Sequence, residues 1–153
     1  VYKRQVYALT LVGAFAIVAV VSRTTPDRSD LEDWAGLVRR SPELAWSMLV
    51  LLLSMGGIPF VAGFAAKVSV FTVAADSGYL WLKILALLTT VVGLYVYFRI
   101  AAKMFFAAPA DDAPALEVPT VARLTIAVVV VSQIVIGVNP WPLLDLAREA
   151  LPF

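Results

Sequence analysis

The sequence predicts an all-α protein: a polytopic transmembrane helix bundle of four spans, the second a discontinuous (broken) helix. Three observations carry that expectation. Mean hydropathy is +0.90, and 61% of residues are hydrophobic, far outside the soluble range. The apolar residues gather into four stretches separated by polar or proline-bearing segments, and a length of 153 residues leaves room for only a handful of spans. The second stretch is interrupted by Gly56-Gly57-Ile58-Pro59 and carries one ammonium, Lys67, beyond the interruption.

Composition removes several function classes. A formal net charge of +1 gives no reason to expect nucleic acid or an acidic substrate. With no His and no Cys, the usual haem, zinc and iron–sulfur ligands are missing, as are disulfides and Ser/His or Cys/His pairs. No Gly-rich phosphate loop follows a strand. The carboxylates lie in loops or at helix ends, so no metal site and no paired-carboxylate centre is expected. Taken alone, this stretch of chain is not expected to be catalytic.

The elements follow in order. Val1-Tyr2-Lys3-Arg4-Gln5 resembles no natural start; it equals one reading frame of a transposon-end adapter. The expectation is that residues 1–5 are not native and that residues 6–153 are the C-terminal membrane portion of a longer protein. The alternative is a short basic segment flanking a helix. Val6 to Val21 is the first span, about 16 residues against the ~20 needed to cross the hydrocarbon. Ser22 to Ser41 is polar, but Leu31, Trp34, Leu37 and Val38 recur at helical spacing. It reads as an amphipathic turn or helix lying at the interface, anchored by Trp34, or as an ordinary solvated loop.

Ser41-Pro42-Glu43 is a helix-start signature: an N-cap Ser, Pro at the first helical position and an acid in the first turn. The apolar pattern then runs from 43 to 75. As one helix those roughly 33 residues would reach ~50 Å, too long for a ~30 Å core. A break at 56–60 resolves the mismatch, because two glycines before Ile58-Pro59 favour unwinding over a simple proline kink. Asp76-Ser77-Gly78 turns the chain. A third span covers 79–104, a proline-rich acidic loop covers Ala107 to Pro119, and a fourth span covers 120–138. Asn139-Pro140-Trp141-Pro142 ends it, with a short amphipathic tail to Phe153. Arg23, Arg28, Arg39 and Arg40, with Arg99, Lys103 and Arg123, place the basic connections in the cytoplasm and the C-terminus outside.

Lys67 is the principal candidate residue. A lysine at the centre of a membrane helix costs about 2.5–3.5 kcal/mol on insertion scales, so it is seldom placed there without a use for its charge. Both the Gly56–Pro59 break and Ala74-Ala75 lie about two turns away, which argues against simple snorkelling to a surface. Its neighbours at i±3 and i±4 are Gly63, Phe64, Val70 and Phe71, none of them acidic. A desolvated amine can gain and lose a proton. The pair of features points to an ion or proton path. Ser54, Ser69, Thr72, Thr89, Thr90, Tyr95 and Tyr97 could line a water chain, although hydroxyls in such helices usually bond the i−4 carbonyl or a neighbouring helix. Arg99 and Lys103, at i and i+4 near a helix end, read as lipid-headgroup contacts.

Ser54-Met55-Gly56-Gly57-Ile58-Pro59 followed by Gly63-Phe64-Ala65-Ala66-Lys67 resembles the broken twelfth helix of the antiporter-like membrane subunits of respiratory complex I. Three further stretches resemble the subunit-N branch of that family: Gly13-Ala14-Phe15-Ala16-Ile17-Val18, Asp30-Leu31-Glu32-Asp33-Trp34-Ala35-Gly36-Leu37 and Tyr95-Val96-Tyr97-Phe98-Arg99. The similarity runs from Val6 to about Phe153. The Gly-Ile-Pro and Gly-Phe-x-x-Lys pieces alone recur in all the related subunits. Phe60 stands where a second Pro is usual, and Val12 where Asn is common.

The resemblance implies a proton-translocating, non-redox subunit of an NADH–quinone oxidoreductase in the bacterial inner membrane, multi-pass, with Lys67 in proton transfer. It implies no cofactor in this chain, since NAD, FMN, iron–sulfur clusters and quinone belong to the whole complex. The partners it implies are other membrane subunits of complex I and the lipid bilayer, not nucleic acid. The family's central-membrane lysines and helix-five Glu lie upstream of this stretch, so these residues do not make a complete proton path. The alternatives are a subunit of a cation/proton antiporter or of a related membrane-bound hydrogenase, and a purely structural scaffold.

Overall fold

The computed structural model describes residues 2–24, 31–58, 61–64, 67–68, 80–109 and 116–139. Every regular element among them is helical: α1 (Tyr2–Thr24), a 3-10 turn (Leu31–Trp34), α2 (Leu37–Arg40), α3 (Pro42–Gly56), α4 (Leu80–Phe106) and α5 (Thr120–Val138). Residues 62–64 and 67–68 are also helical. Three helices are long and apolar enough to cross a membrane, through Gln5–Arg23, Ile84–Phe106 and Thr120–Val138, whereas α3 is a shorter apolar helix. The expected turn at Asp76-Ser77-Gly78, Pro59 within the break, and the tail from Pro140 to Phe153 lie outside the described residues.

α1 takes in residues 2–5 and overruns the expected end at Val21. Nothing between Val21 and Thr24 breaks a helix, and the Ser22 hydroxyl donates to the Val18 carbonyl at 2.8 Å, satisfying itself within the last turns. α3 starts where the Ser-Pro-Glu signature places it, with Pro42 in the first turn and Ser41 extended at φ −153°. The Ser41 side chain makes no cap bond. Its backbone N–H donates to the Leu37 carbonyl instead, at 2.8 Å. α2 therefore runs into α3 through a one-residue corner.

α3 is the central element, packed against α1, α2, α4 and α5, and α1 also packs on α5. Leu44, Met48, Leu51 and Leu52 recur at helical spacing along it and meet Ile17, Val20 and Val21 from α1, Met104 from α4, and Ile126 and Val129 from α5. Gly13 lets α1 approach this seam. A Cβ there would stand 2.7 Å from Val129 Cγ1 and 3.1 Å from Leu51 Cδ1. α4 touches the bundle along one side only; Trp81, Leu88, Val92 and Tyr95 are exposed on the rest of it.

The apolar face of the segment before α3 packs against protein. Leu37 is fully buried, and Trp34 and Val38 pack against the core, so this segment caps one end of the bundle. Polar contacts fasten it. The Gly36 N–H donates to the Lys103 carbonyl at 3.3 Å, and Arg40 Nη1 donates to the Asp33 carbonyl at 2.9 Å. Lys103 pairs with Glu32. Arg123 pairs with Glu43 at 3.0 Å, bringing the start of α5 to the start of α3.

Gly36 has φ +63°, and a Cβ on it would stand 2.6 Å from the backbone nitrogen of Pro109. Gly36→Ala should therefore combine left-handed strain with a clash that backbone must absorb. The expected destabilisation is about 2 kcal/mol, read as a lowered thermal midpoint of the purified full-length subunit in its complex. Gly93→Ala is the control, because a Cβ there meets only Tyr97 Cε2, at 3.9 Å. That change should be neutral or slightly stabilising.

Candidate functional site

α3 stops at Gly56, and its last carbonyls have no further turn of helix to accept. Gly57, at φ +74° and ψ 38°, makes the left-handed turn that ends it. Its N–H donates to the Ser54 carbonyl at 3.0 Å, and the Ile58 N–H reaches back to the Leu53 carbonyl at 3.1 Å. This is a Schellman closure, which needs a glycine at the left-handed position. Ile58 and Leu53 then line one small crevice with Leu94 and Tyr97, the apolar contact that usually accompanies such a cap.

Lys67 completes the termination. Its Nζ donates to the Gly56 carbonyl at 2.6 Å, and its stem lies over Gly57, where a Cβ would stand 3.0 Å from Lys67 Cε and 3.2 Å from Nζ. This partner is a backbone carbonyl. The C-terminus of a helix is the negative end of its dipole, so a cation there is favoured by the last carbonyls together. Among the described residues, the four predicted break positions divide: Gly56 and Gly57 form the terminus, Ile58 folds back on it, and Pro59 is not described.

A second contact ties the returning chain to α3. The Gly63 N–H donates to Ser54 Oγ at 3.2 Å, and the Ser54 hydroxyl donates to Gln133 Oε1 at 2.6 Å. A Cβ on Gly63 would overlap the Ser54 carbonyl oxygen. The glycine is thus required for close approach. Ser54 and Gln133 are both buried, at 2% and 0% exposure. A half-open cavity of about 140 Å³ lies beside this knot, lined by Val6, Tyr7, Thr10, Ser54, Met55, Gly63 and Lys67. At ~30 Å³ per water it has room for several.

The other hydroxyls divide differently. Thr89 and Thr90 donate to carbonyls in their own helix; Tyr95 is exposed. Ser69 and Thr72 lie outside the described residues. Thr10 lines the cavity while donating to the Val6 carbonyl at 2.7 Å. Gln133 was not foreseen. Its signal was available, as the one side-chain amide inside the apolar run 120–138. Among the described residues, no group of three or more His, Cys, Asp or Glu could hold a metal.

A family model described as NADH:quinone oxidoreductase/Mrp antiporter, TM matches residues 3–93. The chain is 41% identical over 148 residues to NADH-quinone oxidoreductase subunit N of Acidothermus cellulolyticus, covering 96% of this chain and 28% of that protein. It is 38% identical over 144 residues to subunit N of Desulforamulus reducens, covering 94% and 30% respectively. A chain of respiratory complex I from Thermus thermophilus with bound aureothin superposes with a TM-score of 0.76 at 34% identity, over 91% of this chain and 32% of that one. The chain therefore spans about 30% of the length of the relatives it matches.

Gly57→Ala should strain the left-handed turn and displace the Lys67 stem at once. A loss of about 2 kcal/mol is expected. It should be larger than that of Gly13→Ala, where a Cβ crowds Val129 and Leu51 but no left-handed backbone is strained. Comparing the two thermal midpoints checks this.

Proposed function

Because this chain belongs to the NADH:quinone oxidoreductase/Mrp antiporter transmembrane family, we propose that it is part of a proton-translocating subunit N of a bacterial NADH–quinone oxidoreductase. In this reading α3 and the helical residues 62–64 and 67–68 belong to two halves of one interrupted span, making four spans with α1, α4 and α5. The chain carries no redox centre; NAD, FMN, iron–sulfur clusters and quinone belong to other subunits. Its partners are the other membrane subunits and lipid, and its place is the inner membrane, with the end that holds Glu32, Lys103 and Arg123 cytoplasmic.

One observation carries the proposal: the Lys67 Nζ on the Gly56 carbonyl, beside a cavity with room for water. An ammonium at a helix terminus inside an apolar bundle is held by carbonyls that also accept from water. Loss of the proton leaves an amine that can still donate to Gly56. Either form therefore keeps the contact, and the lysine can cycle without the terminus coming apart. Net movement needs a second state in which hydration or a neighbouring charge differs, since a fixed affinity moves nothing. An antiporter subunit shares the family, but the relatives named above are subunit N, which favours the oxidoreductase.

Lys67→Ala in the full-length subunit should leave assembly intact and slow proton pumping, with coupled NADH–quinone turnover, by roughly an order of magnitude. Lys67→Arg should also be impaired, because guanidinium stays protonated. Proton uptake by vesicles measured beside NADH oxidation is the readout. Normal pumping by an assembled Lys67→Ala complex would make the lysine structural. On topology, cysteines placed in residues 22–41 should be labelled only from the cytoplasmic side and those near Phe153 only from outside. Labelling of both from one face would rule out an odd number of spans between them.

A further inference from the structure

We propose that Gln133 is a positioning residue for the Lys67 site, acting through Ser54 and Gly63; the inference rests on the proton-site reading above. Gln133 follows Ile126 and Val129 on the buried stripe of α5, so helical spacing points its amide at α3. There Oε1 accepts the Ser54 hydroxyl at 2.6 Å, which fixes the hydroxyl's proton toward α5 and leaves its lone pairs for the Gly63 N–H. Gly63 is one turn before Lys67. Anchoring its amide sets where the returning helix begins, and thereby whether Nζ falls on the Gly56 carbonyl.

The geometry also shows why a simple packing role is a poor explanation. Gln133 Nε2 is buried with no hydrogen-bond partner among the described residues. Burying half an amide unsatisfied is unfavourable, and a methionine would fill the same volume without it. The amide is explained by what its oxygen holds. The Gly63 contact adds to this, since Gly63 is packed so closely on the Ser54 backbone that no side chain fits. A relay of two hydrogen bonds thus crosses from α5 through α3 to the segment bearing Lys67.

The test uses the full-length subunit in its assembled complex, reconstituted in vesicles, with Gln133→Met, Gln133→Glu, Ser54→Ala and Lys67→Ala. Two quantities are read: amide hydrogen exchange of the peptide covering residues 58–68, and the proton-pumping rate. Gln133→Met and Ser54→Ala should each speed that exchange and lower pumping roughly fivefold, the worth of one buried hydrogen bond. Gln133→Glu keeps an acceptor oxygen and should restore the exchange protection. In the Lys67→Ala background, Gln133→Met should add no further loss of pumping, as expected of residues acting as a unit. Should Gln133→Met not assemble, Ser54→Ala alone decides, because it cuts the same relay from its middle. Unchanged exchange in the cut variants, or a loss that adds fully to that of Lys67→Ala, overturns the positioning role. Faster exchange in Gln133→Met together with normal pumping by Lys67→Ala would keep the positioning role and remove the proton-site reading. A defective Lys67→Ala with an unaffected Gln133→Met would do the reverse.

Discussion

The arrangement depends on one constraint: a helix that ends inside an apolar bundle must have its backbone groups satisfied by protein or enclosed water. α3 ends that way at Gly56, and the features around it answer that end. Gly57 turns the chain so that two amides return to the last carbonyls. Lys67 supplies a donor to Gly56. Ser54, two residues before Gly56, accepts from the Gly63 N–H and donates its hydroxyl to Gln133 Oε1. α1 and α5 close over the same place, Gly13 allowing their approach. Removal of any one partner leaves a polar group at this terminus unsatisfied, which is why the terminus behaves as a set and not as separate contacts.

The opposite end of the bundle obeys different economics of charge. Glu32–Lys103 and Glu43–Arg123 are partly or largely exposed, and pairs of that kind contribute about 0–1 kcal/mol each. They set register more than they add stability: one ties the 3-10 turn to α4, the other ties α5 to α3. The firmness of this end comes from Leu37, Trp34 and Val38 folded onto the core.

Much of the architecture was legible in the residues. Ser41-Pro42-Glu43 marks the start of α3, Thr120 to Val138 has the limits of α5, and Gly56-Gly57 marks the end of α3, because capping and glycine conformations are local chemistry. What the apolar face of residues 31–41 packs against was not legible, for a physical reason. Amphipathic spacing says that Leu31, Trp34, Leu37 and Val38 share a face but not whether that face meets lipid or protein. The Glu32 partner of Lys103 was hidden in the same way, being 71 positions away. The Lys67 partner was hidden differently, since a search for acids at i±3 and i±4 cannot find a backbone carbonyl. Gln133 was missed because an isolated amide leaves apolar periodicity undisturbed, and its meaning appears only when α5 lies on Ser54.

The length of α3 has an electrical consequence. Its 15 residues rise about 22 Å from Pro42 to Gly56, roughly three-quarters of a ~30 Å hydrocarbon layer. With α3 upright and Pro42 at the surface, as the proposed interrupted span requires, a charge at the Gly56 carbonyl has about three-quarters of an evenly falling voltage on the Pro42 side and one-quarter beyond. At ~2.3 kcal/mol per elementary charge per 100 mV, the shorter leg is worth about 0.6 kcal/mol per 100 mV and the longer leg about 1.7 kcal/mol. On the proposed reading of Lys67 as a proton site, its occupancy depends on membrane potential, and the two exits from the site respond to voltage unequally.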